Sequence, residues 1–170
     1  FIKKRPLLAD TEGGLSGFTA SQELGDVTVD DVTAFLARFE NGATGTFEAT
    51  RLAPGRKNYN RWEINGEKGT IAFNLERMNE MEVYVTDDPE GLQGFHTIQA
   101  TESFMPYMSA YWPVAHIIGY EHTFVNLVKD FLESVANNTP FNPDFYDGYQ
   151  NQAVLAAVED SAKSRQWVSL

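Results

Sequence analysis

The sequence has no cysteine, which removes disulfides, thiolate metal sites and cysteine nucleophiles together and fits a reducing cytoplasm. It has no apolar run near the roughly 20 residues that cross a bilayer, and no charged–apolar–small secretory pattern opens it. No G-x-G-x-x-G follows a strand-like run, so the dinucleotide-binding turn is missing. No G-x-x-x-x-G-K-[ST] exists either; Gly66-Glu67-Lys68-Gly69 is too short and lacks the hydroxyl residue, and it reads as a hairpin turn. Basic residues are scarce, 13 against 24 acidic ones, for a net charge of −11. A field of that sign repels phosphate backbones and anionic lipid, so nucleic acid and membrane surfaces are poor partners.

What is present is a chain able to bury a core. Its 170 residues fit one domain, and 42% of them are hydrophobic and 13% aromatic. The first residue is Phe1 rather than Met, the expected mark of a piece of something longer. Residues 1 to about 26, broken by Gly13, Gly14, Gly17 and Gly25, read as a loop-like approach. From Val32 to Glu40 the β-formers cluster, Asn41-Gly42 supplies a tight turn, and Ala43–Thr50 returns as the partner strand. Tyr59–Asn65 and Thr70–Asn74 make a second hairpin, and the stretches 81–86 and 95–99 alternate with period two.

Residues 101–121 form a long aromatic connection with Phe104, Tyr107, Tyr111, Trp112 and Tyr120. Connections of this length are uncommon in compact domains unless they serve a function. Phe124, Leu127, Val128, Phe131, Leu132 and Val135 then make one stripe of an amphipathic helix that ends at Asn137-Asn138. A second helix is predicted from Asp147, with Val154, Leu155, Val158 and Ala162 on one face, and Trp167–Leu170 as a closing strand. Strands first and helices later predict an α+β fold: an open, mostly antiparallel sheet with amphipathic helices packed on one face. The first strand is apolar on both faces, Phe35 and Phe39 on one and Val32 and Leu36 on the other. One face is free to meet a second subunit.

Candidate site residues follow from chemistry. His116 sits in the aromatic connection beside Trp112 and Tyr120, where an imidazole suits polyol hydroxyls and aromatic faces suit sugar C–H surfaces. His122 stands at the entry to the first helix, where bonding to nearby backbone is an equal alternative to a ligand role. The cluster Arg51, Arg56, Lys57 and Arg61 is read first as ion pairing and second as an anion site. Asp30-Asp31 and Asp87-Asp88 read as solvated turn residues. The three histidines lack metal-ligand spacing, and no nucleophile–base–acid set can be assembled.

Several stretches in order resemble the C-terminal domain of the Gfo/Idh/MocA family, which includes glucose–fructose oxidoreductase and inositol dehydrogenase. They are FENGATGTFEATR at 39–51, WEINGEKGTIAFN at 62–74, LERMNEMEVY at 75–84, HIIGYEHTF at 116–124, Asp130-Phe131-Leu132, Asp147-Gly148, AAVEDSA at 156–162 and Trp167-Val168. The resemblance implies an upstream Rossmann domain binding NAD or NADP, joined to an open-faced sheet domain that holds a sugar or polyol. The family's cofactor fingerprint, its E-K-P lysine and its D-x-x-x-H histidine all belong upstream, so this chain alone is expected to bind no cofactor and to be inactive. His116 and His122 fall in the family's substrate-side segment, with Ala115 where glycine is frequent. Together with Trp112, Tyr120 and Arg51 they form the expected substrate-binding set. The resemblance also implies homo-oligomers through the exposed sheet face. The competing expectation is a non-catalytic carbohydrate-binding or dimerisation module.

Overall fold

The computed structural model describes residues 2–13 and 17–170, without the side chains of 10–13 and 17–19. Phe1 and residues 14–16, part of the expected loop-like approach, lie outside the described residues. The chain divides into two units, Phe1–Gly55 and Arg56–Leu170.

In the first unit the expected approach loop is a hairpin. β1 (Lys4–Gly13) pairs antiparallel with β2 (Gly17–Asp26), with register shifts between Pro6 and Leu8, Leu8 and Asp10, and Asp10 and Gly13. Proline has no N–H for a ladder and glycines blur side-chain alternation, so the pairing leaves no period-two signal. β3 (Val32–Arg38) and β4 (Thr44–Thr50) form the predicted hairpin, with Phe35 opposite Phe47 and Leu36 opposite Thr46. Gly42 takes the positive φ of 88° that the turn demands, and the Asn41 side chain accepts from the Ala43 N–H at 3.0 Å. The Phe35 and Phe47 rings stack at 4.8 Å. Leu36 on the opposite face stays exposed.

Asp31 corrects its reading as a solvated turn residue. It is only 4% exposed, because its carboxylate closes the start of the chain: Oδ2 accepts the Ile2 N–H at 2.7 Å and Oδ1 is paired with the Arg5 guanidinium. The Ile2 N–H first, and the Arg5 charge in support, hold the Asp31 pKa below its ordinary value.

In the second unit β5 (Arg61–Gly66), β6 (Gly69–Asn74), β7 (Glu80–Val85) and β8 (His96–Gln99) form a four-stranded antiparallel meander in that order. Trp62, Ile64, Ile71, Phe73, Met81, Val83 and Ile98 share one face, while Arg61, Glu63, Asn65, Thr70, Glu80, Glu82 and Thr97 share the other. Gly69 is obligatory at the β5–β6 turn, since a Cβ there would lie 2.1 Å from the Tyr84 carbonyl oxygen. Asp88 is also more than a solvated turn residue: its Oδ2 lies 2.7 Å from Nε2 of His96.

Helix α1 (Glu121–Asn137) ends as predicted, with Asn138 in the left-handed region and its N–H on the Ser134 and Val135 carbonyls. Helix α2 (Phe145–Ser164) starts two residues before Asp147. Asp144 is the N-cap, accepting from Tyr146 N–H at 2.6 Å, and Asp147 closes the capping box by accepting the Asp144 N–H at 2.7 Å. The half-buried stripe of α2 is Ala153, Val154, Ala157, Val158 and Ser161, whereas Leu155 and Ala162, expected on the packed face, are exposed. Trp167–Leu170 carries no strand; the left-handed Arg165 ends α2 and turns the chain just before it. The architecture is α+β, with antiparallel strands and two helices as expected, its described strands divided among three sheets rather than joined in one.

The Asp31 geometry gives a pH dependence of definite sign. Its folded-state pKa lies below the ordinary 3.8, so its contribution is complete above that value and is lost as pH falls through the folded one. The thermal midpoint should therefore drop on acidification below about pH 4, and Asp31→Asn should lower the midpoint at pH 7 while flattening that part of the profile. Equal acid slopes for both proteins would contradict the assignment.

Candidate functional site

The aromatic connection between β8 and α1 is held from two sides. On the sheet side, Asn79 stands just before β7. Its amide Nδ2 donates to the Ile118 carbonyl and its Oδ1 accepts the Ile118 N–H, both at 2.9 Å, while its own carbonyl accepts the Ala100 N–H at 2.8 Å. One side chain thus imitates a strand partner at the end of the connection and marks its beginning through the backbone. Buried Thr101 adds a carbonyl that accepts the Ala115 N–H at 3.3 Å.

On the helix side, the anchors are polar. The Tyr107 hydroxyl donates to Asp130 at 2.6 Å, and the Tyr111 hydroxyl donates to Asn126. The Asp130 carboxylate, through that hydrogen bond, raises the Tyr107 pKa above its ordinary value and keeps the phenol protonated. Lys129 lies 5.5 Å from the Tyr107 ring centroid. The residues of α1 that are not exposed are His122, Asn126, Asp130 and Ser134, four apart along one face. The predicted apolar stripe is real as a pattern, but it is the outer face: Phe124, Val128, Leu132 and Val135 are all more than half exposed.

Within this frame the expected site residues fall into small groups. Trp112, which is 74% exposed, and His116 bring their rings to 5.6 Å. The His116 Nδ1 lies 2.7 Å from the Pro113 carbonyl oxygen, and Ala115 beside it adopts a φ of 74°. A non-glycine residue in that conformation costs about 1 kcal/mol. Tyr120 occupies the N-cap position of α1 and meets Phe124 edge-on at 5.4 Å. His122 packs edge-on against Tyr111 at 4.5 Å, and its Nδ1 accepts the Gly119 N–H at 3.0 Å. The ring therefore bonds nearby backbone, but as an acceptor from the Gly119 N–H rather than as the donor expected at a helix start.

The basic cluster mainly pairs. Arg56 reaches Glu76 at 3.5 Å and lies 3.9 Å over the Tyr59 ring, and Arg61 reaches Glu63 at 3.1 Å. The Glu76 pKa is lowered, first by the Lys57 N–H that its carboxylate accepts. Arg51 belongs to the first unit, where its N–H bonds the Asp31 carbonyl at 2.7 Å and its side chain is exposed. Among the described residues, no three histidine or carboxylate side chains converge as a metal site. Sequence reasoning missed Asn79, Asn126 and Asp130. The last two had a signal, the spacing of four from His122; Asn79 had none, since it acts on a residue 39 positions away.

The chain belongs to the GFO_IDH_MocA oxidoreductase family, matching its C-terminal alpha/beta domain over residues 11–170. It is 38% identical over 174 residues to levoglucosan dehydrogenase of Pseudarthrobacter phenanthrenivorans, covering all of this chain and 44% of that protein. A crystal structure of an oxidoreductase domain protein from Kribbella flavida superposes with a TM-score of 0.83 at 50% identity, over 85% of this chain and 39% of that one. Levoglucosan dehydrogenase in complex with NADH and levoglucosan gives a TM-score of 0.81 at 41% identity, over 85% and 39%. The chain thus spans less than half the length of the relatives it matches.

The double anchorage makes Asn79 a sensitive position. Asn79→Ala leaves the Ile118 N–H and carbonyl without partners and should destabilise the protein by about 2 kcal/mol, read from urea midpoints. It should also speed amide exchange at Ile118. Unchanged exchange there would show that the carboxamide does not hold the connection.

Proposed function

We propose that this chain is the substrate-binding and oligomerisation domain of an NAD(P)-dependent sugar or polyol dehydrogenase. The observation that carries the reading is the connection 101–120. It presents Trp112, His116 and Tyr120 on a segment fixed from both sides, and the matched relative holds levoglucosan and NADH in its complex. Oxidation moves a hydride from the substrate carbinol carbon to the nicotinamide while the hydroxyl proton passes to a base. Both events fall at the junction with an upstream cofactor domain. This chain binds and orients the sugar with His116, His122, Trp112 and Tyr120 and takes no proton itself. Alone, it is inactive and does not bind NAD or NADP.

The apolar side chains left in water support self-association. Leu36 is 64% exposed, and Phe39 and Phe47 on the other face of the same hairpin are also exposed. We assign the sheet face to contacts between copies of the protein. The absence of cysteine is consistent with work in the cytoplasm; no described helix is long and apolar enough to cross a membrane.

The test is turnover by the full-length protein on a panel of levoglucosan, D-glucose and myo-inositol, followed as NADH or NADPH formation. Saturable activity on at least one sugar or polyol is expected, with none from residues 1–170 alone. A full-length protein that binds no member of the panel would refute the assignment.

A further inference from the structure

We propose that His116 and His122 are held as opposite neutral tautomers, and that they read a bound sugar through an acceptor and a donor respectively. The proposal rests on the sugar-binding reading above. Its basis is what each Nδ1 touches. The Pro113 carbonyl can only accept, so the His116 Nδ1 at 2.7 Å must carry a hydrogen. In the neutral ring that leaves Nε2 of His116 as an acceptor. The Gly119 N–H can only donate, so the His122 Nδ1 at 3.0 Å must be bare. In that neutral ring Nε2 carries the hydrogen and is a donor.

One contact competes. Glu121 Oε1 lies 3.4 Å from the same His122 nitrogen, and a carboxylate favours a hydrogen there. The Gly119 bond is shorter and comes from rigid backbone at the start of α1, whereas the Glu121 side chain is 75% exposed and can turn into water. Geometry therefore favours the bare Nδ1. The Tyr111 ring packs edge-on to the imidazole and fixes its plane, and Tyr111 is itself tied to Asn126. His122 is thus oriented by two independent contacts, as Trp112 and the Pro113 carbonyl orient His116.

Both Nε2 atoms are available. Among the described residues neither has a protein partner; His116 is itself exposed, and half-buried His122 has no nitrogen buried without a partner, so both atoms reach solvent. A sugar hydroxyl both donates and accepts, so it can satisfy either ring; an ether oxygen only accepts and can satisfy His122 alone. The pair accordingly distinguishes the hydroxyl side of a polyol from its ether side, a finer selectivity than aromatic stacking provides.

The experiment uses the full-length protein labelled with 15N-histidine. Long-range 1H–15N correlation spectra at neutral pH should show a protonated Nδ1 for His116 and a protonated Nε2 for His122. The same tautomer in both rings, or a cationic ring at either, overturns the proposal. Recognition is tested with the best substrate of the panel above. His122→Asn keeps an acceptor for the Gly119 N–H but loses the distal donor, and KM should rise about tenfold with the thermal midpoint held. His122→Gln keeps a distal donor but not the cap, and should recover most of the KM at a lower midpoint. Loss of midpoint without any change in KM for His122→Asn would leave His122 only the structural role of holding the Gly119 N–H, and overturn its role in recognition. Opposite tautomers in a protein that binds no member of the panel would overturn the sugar reading and, with it, this role. Substrate binding with matching tautomers would overturn the tautomer proposal alone.

Discussion

The carboxamide of Asn79 is the contact on which the candidate site depends. Its two hydrogen bonds to Ile118 join the four-stranded meander to the end of a long connection that has no ladder of its own. A segment of that length loses considerable conformational entropy when ordered, and it has little buried apolar area to offset the loss. Among the described residues, Ala72 and Met108 are the only buried apolar residues. Polar anchors therefore bear more of the ordering than in a typical core. Asn79 at one end and the Tyr107–Asp130 and Tyr111–Asn126 pairs at the other fix the backbone on which His116 and Trp112 sit.

Helix α1 follows from the same constraint. Of its least exposed stripe, His122, Asn126 and Asp130 meet backbone and phenol groups of the connection, and Ser134 bonds the Thr139 carbonyl beyond the helix end. The aliphatic stripe is thereby turned outward. Such a helix gains little from the hydrophobic effect within this unit. It is held by directional bonds, which set the rotation of the helix and with it the aim of His122.

Much of this was legible in the residues. The Asn41-Gly42 turn, the alternation of 81–86 and the strands of the second hairpin obey period two, and the structure keeps all of them. The spacing of Phe124 to Val135 located α1 but not its inward face, since periodicity reports which residues share a side and not what lies opposite. The β1–β2 hairpin was hidden because Pro6 and the glycines interrupt alternation while the backbone still pairs. Asp31 was misread for a related reason: its partners, Ile2 and Arg5, are more than 25 residues away and leave no local mark. Residue type and neighbourhood single out His116, Trp112, His122 and Tyr120 as candidates. The bonds that orient the two imidazoles were not legible, because a backbone carbonyl and a backbone N–H have the same sequence signature.

Held from sheet and helix alike, the connection should be the surface that responds when sugar binds. Amide hydrogen exchange of the full-length protein, with and without its best sugar substrate, measures this directly. The account predicts slowed exchange across residues 101–122 with the β1–β2 hairpin unchanged. Protection confined to other segments, with 101–122 exchanging at the same rate in both states, would contradict it.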